Sequence, residues 1–356
     1  MSVLIIAEAG VNHNGDKEKA FALIDAAAAA GADAVKFQTY NAERLAAISA
    51  PKAAYQKQTT DSSESQFEML KKLELPESWH FELKQYAEKQ GITFISTAFD
   101  LQSLTFLEGL DLPFYKIPSG EITNAPLLRA FARTGKDVIL STGMATLGEV
   151  EQALAILSWG YLRGEEPESL SEIWQNWSGG DSERVIREKV SLLHCTSQYP
   201  TPMAEVNLTA MDTLGSAFGL SVGYSDHTEG LLIPVAAVSR GAAIIEKHFT
   251  LDRALPGPDH RASLEPGELK EMVSQIRAVE LALGDGRKKP QPSEWDTRAA
   301  ARQQIIATEN IMTGDLLTVD NIGTARAGSG ASPLYYWDLV GSVASRDYSK
   351  GEPVER

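Results

Sequence analysis

Two histidines, two lysines and two glutamates carry most of the chemistry available to this 356-residue chain. His227 stands in Tyr224-Ser225-Asp226-His227-Thr228, and His248 in Glu246-Lys247-His248-Phe249-Thr250. Each closes a short β-rich run. Two neutral imidazoles at the ends of adjacent strands can bind one divalent ion and leave positions open for water and substrate. The plainer reading is two unrelated, hydrogen-bonded histidines. Lys36 and Lys116 end two further runs. An inward-facing lysine is costly to bury unless it meets an anion, so the pair suggests a doubly anionic ligand with carboxylate or phosphate groups. Thr97, Ser119, Ser141 and Ser225 surround the same ends, and their hydroxyls can donate to phosphate oxygens. Glu8 and Glu121 are the acid–base candidates. For Glu121 a helix N-terminal carboxylate is an equal alternative. Of the other histidines, His13 reads as a loop-fixing residue, His194 as core, His80 as part of a surface helix and His260 as a substrate contact.

Several chemistries are excluded. There is no Gly-rich phosphate loop and no Gly-x-Ser-x-Gly elbow. Lys plus Arg is 33 against 48 for Asp plus Glu, a net charge of −15 that argues against a nucleic-acid partner. An anionic substrate must then be met by cations concentrated locally. The single cysteine, Cys195, rules out an intrachain disulfide and a Cys-based zinc cluster. The opening MSVLIIAEAG lacks a basic region, and its apolar run stops at Glu8. No run approaches the roughly 18–20 apolar residues of a membrane span. These features predict a soluble, cytoplasmic protein with no membrane partner.

The elements that must hold these residues alternate. β-rich runs occupy 3–7, 34–39, 93–97, 114–117, 137–141, 190–194, 220–224 and 243–247. Helical patterns lie between them at 17–30, 77–89, 101–108, 125–133, 147–157, 231–239 and 266–283. Eight such runs predict an α/β fold, a parallel (β/α)8 TIM barrel, with a doubly wound open sheet as the alternative. Residues two apart share a strand face. Leu4 and Ile6 align with Glu8, Ala34 with Lys36 and Gln38, Ile95 with Thr97, Phe114 with Lys116, Ile139 with Ser141, and Ile244 with Glu246 and His248. The same face is apolar low down and polar at the C-terminal end, as in a barrel packed below with chemistry at its mouth. Residues 40–76 form a long connection at that mouth, placed to act as a lid. Residues 158–189 read as a helical excursion at the opposite end, against the barrel base or a partner subunit. The barrel domain is drawn at 1–285, a basic linker at 286–298, and a small strand-rich domain at 299–356.

Across essentially its whole length the chain resembles the N-acetylneuraminate (sialic acid) synthases. The matching segments include AEAGVNHNGD from Ala7, AVKFQTY from Ala34, YKIPSGEITN from Tyr115, LLHCTSQYPTP from Leu192, GYSDHT from Gly223, EKHFTLD from Glu246 and GPDH from Gly257. The C-terminal part, with Thr324 to Gly330, resembles the antifreeze-like (SAF) domain of these enzymes. The resemblance implies a transferase that condenses phosphoenolpyruvate with N-acetylmannosamine and water to give N-acetylneuraminate and phosphate. It implies a divalent metal, Mn2+ before Mg2+ or Co2+, on His227 and His248. Phosphoenolpyruvate contacts fall on Lys36, Thr97, Lys116, Ser119, Ser141 and Ser225. Ser197 stands where some members place an Asn near the phosphate. Sugar contacts fall on Gln38, Tyr199 and Asp259, and active-site glutamates on Glu8 and Glu121. Arg326 matches an arginine that reaches the sugar's acyl group in the partner chain of a domain-swapped homodimer. No family asparagine aligns around Thr59 and Thr60 in the lid, and Ala98 replaces a common Pro. A 2,4-diacetamido-6-deoxy acceptor, giving legionaminic or pseudaminic acid, is the alternative. A metal-dependent hydrolase and a non-enzymatic binding protein are remoter readings.

Overall fold

The computed structural model describes residues 2–47, 50–52, 56, 60 and 64–356. The chain divides into two compact units, Met1–Gly284 and Asp285–Arg356.

In the larger unit the strands are β1 (Leu4–Gly10), β2 (Ala34–Thr39), β3 (Thr93–Ala98), β4 (Phe114–Ile117), β5 (Asp137–Ser141), β6 (Val190–His194), β7 (Ser221–Asp226) and β8 (Ile244–His248). All pair in parallel, in the order β3-β2-β1-β8-β7-β6-β5-β4. The first strand pairs with the last, from Leu4 opposite Ile244 to Glu8 opposite His248. β3 and β4 adjoin to complete the circle. That closure makes the sheet a barrel and sets aside the open doubly wound form. β1, β7 and β8 run one to three residues further than the sequence suggests, because their ladders continue up to the mouth.

Local chemistry explains the helices between them. Asp16 accepts from the Glu18 and Lys19 amides at the start of helix Lys17–Ala30, and Gly31 ends it at φ +80°. Thr146 and Glu149 form a reciprocal capping box at the start of helix Leu147–Leu162. Helix Ala210–Phe218 after β6 was not legible as a periodic run. The 158–189 excursion begins as the last turns of helix Leu147–Leu162 and continues as helices Leu170–Trp177 and Gly180–Lys189. It lies against that helix: Asn176 donates to Ser158 Oγ at 3.2 Å, and Trp177 Nε1 to Glu151 at 3.2 Å. The predicted lid contains helices Ala42–Leu45 and Gln66–Lys72. Its stretches 48–49, 53–55, 57–59 (with Thr59) and 61–63 lie outside the described residues.

Two apolar layers position the mouth. The outer one lies between strands and helices and takes Ile5, Val35, Phe37, Tyr115, Tyr224, Ile245 and Phe249 from the outward strand faces. The inner one fills the lower barrel with Ile6, Ala34, Ile95, Ile139, Leu193 and Ile244. Gly223 is required in that inner layer, because a Cβ there would sit 2.3 Å from the Ile244 carbonyl oxygen. Among the described residues no helix is long and apolar enough to cross a membrane.

In the smaller unit β9 (Gln304–Ala307) and β10 (Ile322–Ala325) pair antiparallel around a core that includes Ile305, Ile311, Leu317, Tyr348 and Val354. The stretch read as a linker carries a turn at Pro292–Glu294 and helix Trp295–Ala301.

Candidate active site

Directly above the inner apolar layer, the next inward residue of strand after strand is polar. Glu8, Lys36, Gln38, Thr97, Lys116, Ser119, Ser141, Ser197, Tyr199, Ser225, His227, His248 and Asp259 all line one cavity of about 380 Å³ at the mouth. Glu121 is not among its lining residues. Glu121 sits in a short 3₁₀ turn, where its carboxylate accepts from Asn124 Nδ2 at 2.6 Å. Arg326, in the smaller unit, is exposed and donates from Nε to the Ala301 carbonyl at 3.1 Å.

Glu246, on β8, is the residue that sequence reasoning passed over. Its carboxylate bridges the two lysines, with Oε1 3.2 Å from Lys116 Nζ and Oε2 3.6 Å from Lys36 Nζ. Ser225 donates to Oε1 at 2.8 Å. Burial works against its charge, but Lys116 and Lys36 outweigh that and hold its pKa down to about 2. Glu8 is different. Burial pushes its carboxyl up to about 7, only partly opposed by Lys36 and reinforced by the Glu246 charge. Lys36 lies 2.5 Å from Glu8 and 3.4 Å from the Thr97 hydroxyl. Burial works to lower the pKa of that lysine, yet Glu246 and Glu8 outweigh it and raise the pKa above the ordinary value. Gln38 donates to the other Glu8 oxygen at 3.3 Å. The Ser141 hydroxyl is buried with no hydrogen-bond partner, a donor waiting for a ligand atom.

The serines sit close together for a steric reason. Gly143 donates its amide to Ser119 Oγ at 2.9 Å. A Cβ on Gly143 would lie 2.5 Å from Ser197 Oγ and 2.9 Å from Cys195 Sγ.

His227 and His248 face each other with ring centroids 5.6 Å apart. His227 Nδ1 is 2.7 Å from the Thr196 carbonyl oxygen, which directs Nε2 toward the Tyr199 hydroxyl at 3.0 Å. Burial lowers the His227 pKa to about 4, and burial with the neighbouring His227 and Lys36 holds His248 well below the ordinary range. Both rings are therefore neutral and able to donate a lone pair. His248 Nδ1 is buried without a hydrogen-bond partner, and Asp259 Oδ2 is 4.0 Å from it. Burial raises the Asp259 carboxyl to about 6. An orphaned imidazole nitrogen and a second ring oriented by a backbone carbonyl fit a divalent cation. Among the described residues no group of three or more His, Cys, Asp or Glu side chains gathers as a metal cluster. Such a cation would depend on the two rings, with water and substrate in its other positions.

The remaining histidines serve the scaffold. His80 is fully buried, not on a surface: its ring bonds Thr39 Oγ1 at 2.7 Å and the Pro76 carbonyl at 3.1 Å. His260 does not line the cavity, since Thr250 and Asn14 take its two ring nitrogens. His13 Nδ1 accepts from the Gly15 amide at 3.0 Å, and His194 meets the Val206 carbonyl.

Part of the cavity lining is apolar. Val11, Tyr40, Met69 and Leu73 form a cluster with Leu45, Leu70 and Phe99, and all seven line the cavity. No periodic signal marked these residues, because they come from loops and short helices.

Residues 23–288 match the NeuB family and residues 302–355 a SAF domain. The chain is 46% identical over 351 residues to N,N'-diacetyllegionaminic acid synthase of Campylobacter jejuni, covering 99% of this chain and 98% of the relative. It is 45% identical over 351 residues to the enzyme of the same name from Legionella pneumophila, covering 99% and 93%. The crystal structure of N-acetylneuraminic acid (sialic acid) synthetase from Leptospira borgpetersenii superposes with a TM-score of 0.66 at 35% identity, covering 85% of this chain and 93% of that one. With the barrel and its polar mouth spanned by these matches, the chain belongs to the NeuB family.

Proposed function

We propose that this protein condenses phosphoenolpyruvate with a 2,4-diacetamido-6-deoxy sugar and water, giving N,N'-diacetyllegionaminic acid and phosphate. This favours the diacetamido acceptor over N-acetylmannosamine. The observation that carries it is the division of the cavity into a cationic, hydroxyl-rich side and a wall of Val11, Leu45, Met69, Leu70, Leu73 and Phe99. A C6 methyl and a second acetamido methyl place apolar surface against such a wall. The hydroxyls of N-acetylmannosamine would lose hydration there without partners. The 46% identity to an enzyme named for that product supports the same reading.

Each side chain then has a task. Lys36 and Lys116 take the phosphate and carboxylate of phosphoenolpyruvate, and Ser141, Ser119 and Thr97 donate to its oxygens, while Ser225 gives its proton to Glu246. Gln38, Tyr199 and Asp259 orient the open-chain sugar. The C3 carbon of phosphoenolpyruvate forms the new bond to the sugar's aldehyde carbon, water adds at C2, and phosphate leaves. Glu8, poised near neutrality, holds or yields the proton at the sugar oxygen. Glu246, kept ionised, holds the two ammonium groups in place and stabilises positive character developing at C2. Glu121, beside the lining residues Ser119 and Gly120, has one carboxylate oxygen engaged by Asn124. His227 and His248 would hold a divalent metal, Mn2+ foremost, which when bound supplies a Lewis acid for the aldehyde oxygen.

The test is phosphate release with phosphoenolpyruvate, Mn2+ and each of three acceptors: the 2,4-diacetamido-6-deoxy mannose-type sugar, its altrose isomer and N-acetylmannosamine. The expected result is a kcat/KM at least tenfold higher for the first. A preference for N-acetylmannosamine would overturn the acceptor assignment. Turnover without phosphoenolpyruvate would overturn the reaction.

A further inference from the structure

The outward faces of β7 and β8 carry two charges in a layer otherwise built of hydrocarbon. Glu246 and His248 face the cavity, so Lys247 points away from it, between Ile245 and Phe249 of the outer apolar core. Asp226 does the same beside Tyr224. Both side chains are 0% exposed, and Lys247 Nζ lies 2.5 Å from Asp226 Oδ2. Lys247 also donates to the Thr228 carbonyl, and Asp226 accepts from the Thr228 amide at 3.0 Å and hydroxyl at 3.1 Å.

Stability is a poor reason for this arrangement. A buried ion pair loses much of its attraction to desolvation, and apolar residues of similar volume often do as well or better. Its location suggests another purpose. Asp226 immediately precedes His227, and Lys247 immediately precedes His248. The β7–β8 ladder ends at the Asp226–Lys247 register pair, so His227 is the first residue beyond it. The other bonds that hold His227 run to Thr196, Tyr199 and Thr201, all in the connection that follows β6. Lys247 grips the chain on both sides of His227, at Asp226 and at Thr228. It thereby ties that loop to the strand that carries His248.

We propose that Lys247, with Asp226 and Thr228, is a positioning residue that sets the separation of the His227 and His248 rings and hence the affinity of the site for a divalent cation. The proposal rests on the metal reading above, and it concerns side chains that touch neither substrate nor metal.

The test variant is K247M/D226N, which removes both charges at nearly constant volume. Mn2+ binding to the full chain is followed by the electron paramagnetic resonance of free Mn2+, with no substrate present, and thermal melting is recorded in chelator. The expected result is a melting temperature close to that of the parent and an Mn2+ affinity at least tenfold weaker. At saturating Mn2+, kcat falls while the KM for phosphoenolpyruvate moves less than threefold. A folded variant with Mn2+ affinity within twofold of the parent would overturn the clamp and leave the metal reading intact. A variant that fails to fold would make the pair a stability element and also overturn the clamp. A parent protein that binds no Mn2+ would overturn the metal reading and, with it, the clamp.

Discussion

The Lys36 ammonium and the Glu8 carboxylate meet at 2.5 Å, with 4% and 1% of their side chains exposed. Register places Glu8 opposite Lys36 on one side and His248 on the other. The carboxyl whose pKa burial brings to about 7 is thus between Lys36 and the imidazole pair.

Glu8→Gln keeps the volume and the contact with Gln38 but removes the ionisable group. Steady-state kinetics should show kcat lowered about 100-fold or more, the usual scale for a lost general acid or base. The KM for phosphoenolpyruvate should stay within threefold. A kcat within fivefold of the parent would remove Glu8 from the proton-transfer role.

Lys116→Met should act on the other substrate. Loss of a charge-assisted contact is worth about 1.5–3 kcal/mol, so the KM for phosphoenolpyruvate should rise roughly 10- to 150-fold. The sugar KM should change little. A change confined to the sugar KM would contradict the placement of the anion.

Leu70→Gln probes the apolar wall. It should lower kcat/KM for the diacetamido sugar about tenfold, the scale of a lost methyl-sized contact, and leave N-acetylmannosamine turnover nearly unaltered. Competition between the two acceptors, read by product mass, measures that ratio directly. An equal loss for both would mean that the wall does not discriminate.

His80 supplies a pH dependence of stability. Burial lowers its pKa from 6.5 to about 4, with the Pro76 and Glu77 backbone groups opposing, and neighbouring His13 is lowered to about 4 as well. Between pH 6.5 and 4 the unfolded chain therefore binds more protons than the folded one. Stability is full above pH 6.5 and is lost as pH falls toward 4, by about 3 kcal/mol at most for His80 alone. Urea midpoints at pH 7, 5.5 and 4.5 should fall less steeply for His80→Gln than for the parent. Parallel curves would exclude His80 as a source of acid lability.

The barrel was legible because its alternation is local. Ile244, Glu246 and His248 declare an inward face within five residues. What Glu246 does was hidden, because its partners Lys36 and Lys116 come from β2 and β4, and no local pattern says that three strands aim at one point. The burial of His80 does carry a local signal, since it shares the buried stripe of its helix with Leu83 and Ala87. The contact between Glu121, in a short turn, and Asn124, three residues on, was not legible from residue types alone. The apolar wall left no trace because residues in irregular segments carry no period to read.

That wall has an unusual genetic economy. Leu45, Met69, Leu70 and Leu73, with Tyr40, belong to one continuous stretch between β2 and β3, whereas the lysines, hydroxyls and imidazoles are dispersed over seven strands and the loops that follow them. Exchange of a single short coding segment, roughly codons 40–76, could therefore change which sugar is accepted and leave the carbon–carbon bond-forming apparatus untouched. Trading that cassette between relatives would alter the acceptor-facing wall with no need for coordinated changes scattered along the gene.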